Sequence, residues 1–235
     1  MSTSAPFILK QFSIRQHHAT FKVCTDSVIL GSWVKPDTLH PILDIGTGTG
    51  ILALMMAQRT QSIITAIEID PLSAKDAAYN FDQSPWSARI QLISEDVRDW
   101  AIRQPGKYGT IICNPPYFSN ALKNSNFRKS MARHNDSLTN TELIMVAKQL
   151  LLPDGLLAII LPVEQMKKFI DDASIFQLHP QRICYIQHMA SKEPKRCMTT
   201  FSQIKQKSNI DNLILSNPDN SPTLSYTQLT ADFYL

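Results

Sequence analysis

Asn114-Pro115-Pro116-Tyr117 holds the residue types that activate a planar amine. An amine conjugated to a ring or a carbonyl is a poor nucleophile until acceptors take its hydrogens and its nitrogen becomes pyramidal. Asn114 offers a side-chain carbonyl for one hydrogen. Pro115 lacks an amide hydrogen and offers a backbone carbonyl in a rigid frame for the other. Tyr117 can stack on the flat face of the acceptor and hold it. The same run also reads as a strand end, because Asn-Pro and Pro-Pro mark turns and a residue before proline is pushed into extended geometry.

Upstream, three of the chain's seven glycines (Gly46, Gly48 and Gly50) close the run Asp44-Ile-Gly-Thr-Gly-Thr-Gly50. Glycine lets the backbone turn sharply and approach a ligand, and a helix beginning there presents free amide hydrogens. A dinucleotide loop wants another glycine for close helix packing at position 51, where Ile51 stands. Asp44 repels a pyrophosphate and suits the ammonium of a methionine moiety. The next strand ends Ala66-Ile-Glu-Ile-Asp70, with an acid at the spacing that receives two ribose hydroxyls. Glu68 is the better candidate, since Asp70-Pro71 reads as a helix start. In Ser94-Glu-Asp-Val97, Asp96 can accept from an adenine amine while Val97 covers the ring, although a solvated acidic loop has the same composition.

These groups need a scaffold that brings several strand ends to one edge. Short apolar runs at Ile42–Ile45, Ile63–Ile67, Ile90–Ile93, Tyr108–Cys113 and Leu156–Leu161 read as strands. Between them, Ile51–Arg59, Pro71–Phe81, Thr139–Leu151 and Val163–Ile175 read as helices, so the chain is α/β with a mostly parallel sheet. Arg182–Met189 and Cys197–Ile204, joined by Ala190-Ser-Lys-Glu-Pro-Lys195, predict an antiparallel pair. Ser27–Val34 reads as a further helix with Thr25 or Asp26 as its cap.

With 235 residues and 43% hydrophobic content, one domain is expected. Residues 1–40 would form an extension covering the cofactor site, and residues 41–235 the core. No apolar run approaches the roughly 18 residues that span a bilayer, and no signal segment is visible, so a soluble cytoplasmic protein is expected. The cysteines at 24, 113, 184 and 197 have no metal-site or disulfide spacing, and His17-His18 stands without nearby ligands, so no metal is expected. The net charge of +3 says less than its distribution. Residues 119–134 hold four cations and no acid, and residues 192–207 hold five cations against Glu193. Either segment reads as a nucleic-acid grip or as a solvated loop.

Taken together, the glycine loop, the strand-end acids and the tetrapeptide resemble the class I S-adenosylmethionine-dependent methyltransferases that carry an (N/D)PP(Y/F) motif. Within them the chain is similar to the bacterial tRNA1(Val) adenosine-37 N6-methyltransferase family. The likeness is carried by Phe21-Lys-Val-Cys-Thr-Asp-Ser-Val-Ile-Leu-Gly-Ser-Trp33, Asn80-Phe-Asp-Gln-Ser-Pro-Trp-Ser-Ala-Arg89, Asn114-Pro-Pro-Tyr-Phe118 and Asp232-Phe-Tyr-Leu235. The resemblance implies a Rossmann-like seven-stranded sheet of order 3-2-1-4-5-7-6 whose last pair is an antiparallel hairpin. It implies S-adenosylmethionine as cofactor and tRNA as partner, with Thr25 and Asp26 near the methionine end and Phe118 shaping the base pocket. Cys24 stands where glycine is common in similar sequences.

Glutamine methylation of a release factor and DNA adenine methylation share the tetrapeptide. The first usually comes with an N-terminal helical domain and the second with a target-recognition insertion, and this chain has room for neither. An anticodon-loop adenosine is already exposed and can be flipped at modest cost. Arg133, His134, Lys195 and Arg196 are the candidate grips on RNA. A noncatalytic RNA-binding module is the reading from another class, and the intact loop and Asn114 argue against it. No obligate protein partner is expected.

Overall fold

The computed structural model describes residues 5–116 and 138–235. A short hairpin of β1 (Phe7–Ile8) and β2 (Ser13–Ile14) leads into α1 (Thr25–Trp33). Strand and helix then alternate through β3 (Ile42–Ile45), α2 (Ile51–Arg59), β4 (Ile64–Ile67), α3 (Pro71–Asp82), β5 (Ile90–Ile93), α4 (Val97–Ile102) and β6 (Tyr108–Cys113). Beyond residue 137 come α5 (Asn140–Leu150), β7 (Leu151–Pro162), α6 (Val163–Ile175), β8 (His179–Gln187), β9 (Arg196–Ser202), β10 (Asn209–Ile214) and α7 (Leu224–Thr230).

The main sheet has the order β10-β8-β9-β7-β6-β3-β4-β5. Counted from β3, its first seven strands take the expected order 3-2-1-4-5-7-6, and β9 runs antiparallel to β7 and β8 as the hairpin requires. The eighth strand, β10, is an addition to the seven expected. It pairs in parallel with the outer edge of β8 from Asn209↔Arg182 to Ile214↔Gln187, covering backbone groups that would otherwise be an open edge. Its first four residues are exposed, so no alternation of polar and apolar positions marks it in the sequence.

Side chains alternate between two apolar layers along the central strands. Ile42, Ile112, Ala158 and Ile160 pack with α1 and α2, whereas Leu43, Ile45, Ile111, Cys113, Leu157 and Ile159 pack with α4, α5 and α6. Asp44 falls on the α2 side, a fully buried acid in an apolar ladder. By the same period Asn114, two residues after Ile112, falls on the α1 side. Strand β7 begins earlier than the expected Leu156, because Pro153-Asp154-Gly155 lies within an irregular stretch between the pairs Tyr108↔Leu151 and Thr110↔Leu156 rather than in a turn.

The expected cap of α1 is corrected. Thr25 and Asp26 lie inside the first helical turn, and the residue before it is Cys24, which makes no side-chain capping bond. Cys24 has φ −128° and ψ 162°, an extended conformation open to any residue, so the place common to glycine does not require one here. The chain ends on the N-terminal hairpin: Phe233 is buried, its carbonyl accepts from the Lys10 amide at 2.9 Å, and the Tyr234 ring meets Phe7 edge-on.

Candidate active site

Pairing of Ile45 with Ile67 in β4 and with Cys113 in β6 brings the glycine loop, Glu68 and Asn114 to the carboxyl edge of adjacent strands. In open parallel sheets that edge is where ligands bind. Gly46, Gly48 and Gly50 all have positive φ, at 68°, 57° and 87°. The three are not equivalent. A Cβ on Gly50 would come within 2.4 Å of the Phe81 ring, so this glycine serves packing between the loop and α3. A Cβ on Gly46 would meet nothing within 4 Å, which leaves the loop's outer face open to a ligand.

Helix α2 begins after Gly50, its capping residue, and has no side-chain cap there. Asp44 supplies one from the strand: its Oδ2 accepts from the Ala53 amide at 3.0 Å and from the Thr47 hydroxyl at 2.5 Å. Its Oδ1 is buried and has no partner among the described residues. Burial pushes the Asp44 carboxyl up to about 7, against the pull of those two donors. An orphaned acceptor under an open glycine loop fits a bound cationic group.

Glu68 is buried and bridges two turns, accepting from the Gly48 amide and from the Asp70 amide, each at 2.8 Å. Burial raises its pKa, and the amides of Asp70 and Gly48 oppose the rise. Asp70 caps α3 through the Leu72 and Ser73 amides, as Asp-Pro suggests. Asp96 caps α4, a helix not foreseen in the sequence, and its carboxylate also accepts from the Arg98 guanidinium at 2.6 Å. The Arg98 bond holds the Asp96 carboxyl below its usual range, so it is an ionised acceptor. Arg98 extends to Glu142 of α5 at 2.8 Å, and Val97 beside it is buried.

Two polar residues of α3, Asp76, which sequence reasoning passed over, and Asn80, which it named only within the family likeness, tie the N-terminal segment to this edge. Asp76, fully buried, accepts from the amides of His18 at 2.6 Å and Ala19 at 2.9 Å. Asn80 accepts from the Arg15 amide at 2.8 Å, donates to the Arg15 carbonyl at 2.9 Å and donates to the Thr49 carbonyl of the glycine loop at 2.8 Å. Thr20 reaches Asp70 at 3.3 Å. The signal available was the pair of polar residues at an i, i+4 spacing on the helix that follows Glu68.

Asn114 lies against the start of α1. Its Nδ2 donates to the Ser27 hydroxyl at 2.9 Å, and Pro115 beside it is half-buried. Asp26, assigned to the cofactor, and Arg196, assigned to RNA, are brought together in an ion pair of 2.9 Å. Thr25 and Lys195 are both exposed. Tyr117, Phe118, Arg133 and His134 lie outside the described residues, as does the whole of the basic segment 119–134. Among the described residues no group of three or more His, Cys, Asp or Glu could hold a metal ion, and no helix is long and apolar enough to cross a membrane.

A family model described as Methyltransferase small domain matches residues 18–170. The tRNA1(Val) (adenine(37)-N6)-methyltransferase of Bacteroides fragilis is 38% identical over 234 residues, with 99% of both chains covered. The protein of that name from Flavobacterium psychrophilum is 38% identical over 232 residues, covering 97% of this chain and 99% of the other. Among solved structures, a predicted O-methyltransferase from Agrobacterium tumefaciens superposes with a TM-score of 0.70 at 19% identity, covering 88% of this chain and 96% of that one. TYW2 of Pyrococcus horikoshii in complex with MeSAdo gives 0.57 at 16% identity, covering 86% and 70%. The structural likenesses show the class I methyltransferase fold, and the sequence likenesses show the kinship: this chain belongs to the small-domain methyltransferases and, within them, to the tRNA1(Val) (adenine(37)-N6)-methyltransferase family.

Proposed function

We propose that this protein methylates the exocyclic N6 amine of adenosine 37 in the anticodon loop of tRNA1(Val), working in the cytoplasm as a single domain. The observation that carries the reading is the placement of Asn114: a carboxamide at the carboxyl end of β6, beside the glycine loop and turned by Ser27. S-adenosylmethionine, the cofactor of this family, supplies an electrophilic methyl on a sulfonium whose charge is lost on transfer. The chain's own residues then have to hold, orient and exclude water, and no general base of matched pKa is needed.

Asp44 and the open face at Gly46 would receive the amino-acid end of the cofactor, with Gly48 and Gly50 shaping the loop and Thr25 and Asp26 near that end. Glu68 would take the ribose hydroxyls, exchanging its bond to the Gly48 amide. Asp96 would accept from the adenine amine of the cofactor while Val97 covers the ring. The first 40 residues act as a cover, a role supported by the Asp76 and Asn80 bonds that hold residues 15–19 against α3. At the acceptor end, the Asn114 carbonyl and the Pro115 carbonyl accept hydrogen bonds from the two N–H groups of the target amine, making its nitrogen more pyramidal and nucleophilic, and one of those protons passes to water once the methyl is bound. Tyr117 and Phe118 hold the flipped base by stacking. Arg133, His134 and Lys195 are assigned to the RNA backbone, while Arg196 acts from its ion pair with Asp26.

Mass spectrometry of nucleosides from tRNA mapped by isoacceptor, in cells with and without the protein, tests this reading. The expected result is loss of N6-methyladenosine from one valine isoacceptor alone. Purified Asn114→Ala should lose turnover by about 10²–10³-fold, the range for removing one transition-state hydrogen-bonding partner, with cofactor affinity unchanged. Methyl transfer to a release factor but not to unmodified tRNA would favour the glutamine reading instead.

A further inference from the structure

We infer that the start of α1 sets which way the Asn114 amide faces, making Ser27 and Cys24 positioning residues for methyl transfer. The inference rests on the proposed role of Asn114 as acceptor for the target amine. A carboxamide has two ends of nearly equal shape, and only the oxygen accepts a hydrogen from an amine. Turned by half a rotation, the same side chain would present its NH2 group to the substrate nitrogen and repel it. Identity of the residue is therefore not enough, and something must choose the rotamer.

Ser27 and Cys24 are placed to choose it. Asn114 Nδ2 donates to Ser27 Oγ at 2.9 Å and lies 3.8 Å from Cys24 Sγ. Ser27 lies on α1 and Cys24 immediately before it, so the NH2 group faces the start of that helix and the carbonyl oxygen is turned the other way. Cys24 Sγ and Ser27 Oγ are themselves 3.6 Å apart. A Ser27 hydroxyl hydrogen directed to that sulfur leaves an oxygen lone pair facing Asn114. The seat is rigid. Ser27 is buried on a helix whose next residues, Val28, Ile29 and Leu30, are core residues. Asp26, one position earlier, is joined to Arg196 of β9. The side chain at 24 thus forms one wall of the seat.

Ser27→Ala, Ser27→Thr and Cys24→Ala, each assayed on unmodified tRNA, separate this role from a structural one. Losing one hydrogen bond that selects a rotamer corresponds to a fall in kcat of about tenfold for Ser27→Ala. Cofactor affinity by calorimetry and the thermal midpoint should stay at wild-type values. Ser27→Thr keeps the hydroxyl and should recover most of the loss, and Cys24→Ala, removing the longer sulfur contact, should lower kcat by about twofold. Wild-type kcat in Ser27→Ala, a loss that falls on cofactor affinity instead, or a Ser27→Thr no better than alanine would each overturn the inference. A wild-type protein inactive on unmodified tRNA would bring down the function proposed above, and this inference with it.

Discussion

The cofactor end and the acceptor end of the site share one sheet edge but are held by bonds of different reach. At the cofactor end, Asp44 bonds residues three and nine positions away, and Glu68 bonds Gly48 across 20. At the acceptor end, Asn114 bonds Ser27 across 87 positions and Arg196 bonds Asp26 across 170. The first has its loop and acids built by a few neighbouring turns, with only the cover of residues 15–19 fastened from 57 to 65 positions away. The second exists only once β6, α1 and β9 have been assembled around the whole sheet. Mutations should therefore fall into two kinds: those that damage the loop and its helix, and those that leave the fold intact and misdirect the acceptor.

Two glycines of one loop give the largest contrast. Gly50→Ala forces a Cβ against the Phe81 ring at 2.4 Å with φ at 87°, and the strain and overpacking should destabilise the protein by about 2–3 kcal/mol in urea unfolding. Gly46→Ala carries the backbone strain alone, on the order of 1 kcal/mol, and projects its methyl into open space. It should lose S-adenosylmethionine affinity out of proportion to its stability. Should Gly46→Ala bind cofactor as tightly as wild type, the open face of the loop is not where the ligand sits.

The difference in reach also decides what was legible in the sequence. The glycine run, the acids after β4 and β5 and the tetrapeptide each announce themselves within a few residues, and the alternation of apolar runs marked a mostly parallel sheet around them, its strand order coming from the family likeness alone. Ser27 gave no such sign, because a serine in an apolar helix reads as filler until β6 is laid beside it. Asn80 was visible only as part of a family likeness, since its three bonds join segments 65 and 31 positions away. Arg196 looked like a cation in a basic loop, and its pairing with Asp26 depends on β9 returning antiparallel to β7. β10 was missed for a simpler reason: an edge strand with both faces largely exposed has no hydrophobic period.

Asp44 tests the cofactor end by pH. Its carboxyl is raised from the usual 3.8 to about 7 by burial, so the folded protein holds a proton there more tightly than the unfolded chain. Stability from this group is present in full below about pH 4 and is lost as pH rises to about 7, above which a buried charge remains. Asp44→Asn carries no charge at any pH. Its gain in stability over wild type, without cofactor, should be on the order of 2 kcal/mol at pH 8 and fade toward pH 4, while S-adenosylmethionine binding is lost. A gain that does not change with pH would mean that Asp44 is not the group that titrates.

Lys195 and Arg196 give the smallest effect and address the acceptor end. Each phosphate neutralised by a side chain adds about one to the slope of log affinity against log salt. Lys195 is exposed, and Lys195→Ala should lower that slope for tRNA by about one. The Arg196 guanidinium is already 2.9 Å from the Asp26 carboxylate, so RNA gains little net charge from it, and Arg196→Gln should change the slope by much less. Its effect should fall on kcat instead, because the pair holds the turn of α1 that seats Asn114. Equal slopes for the two variants would require the Asp26 pair to open when RNA binds, and the acceptor end would then be assembled by its substrate rather than by the fold.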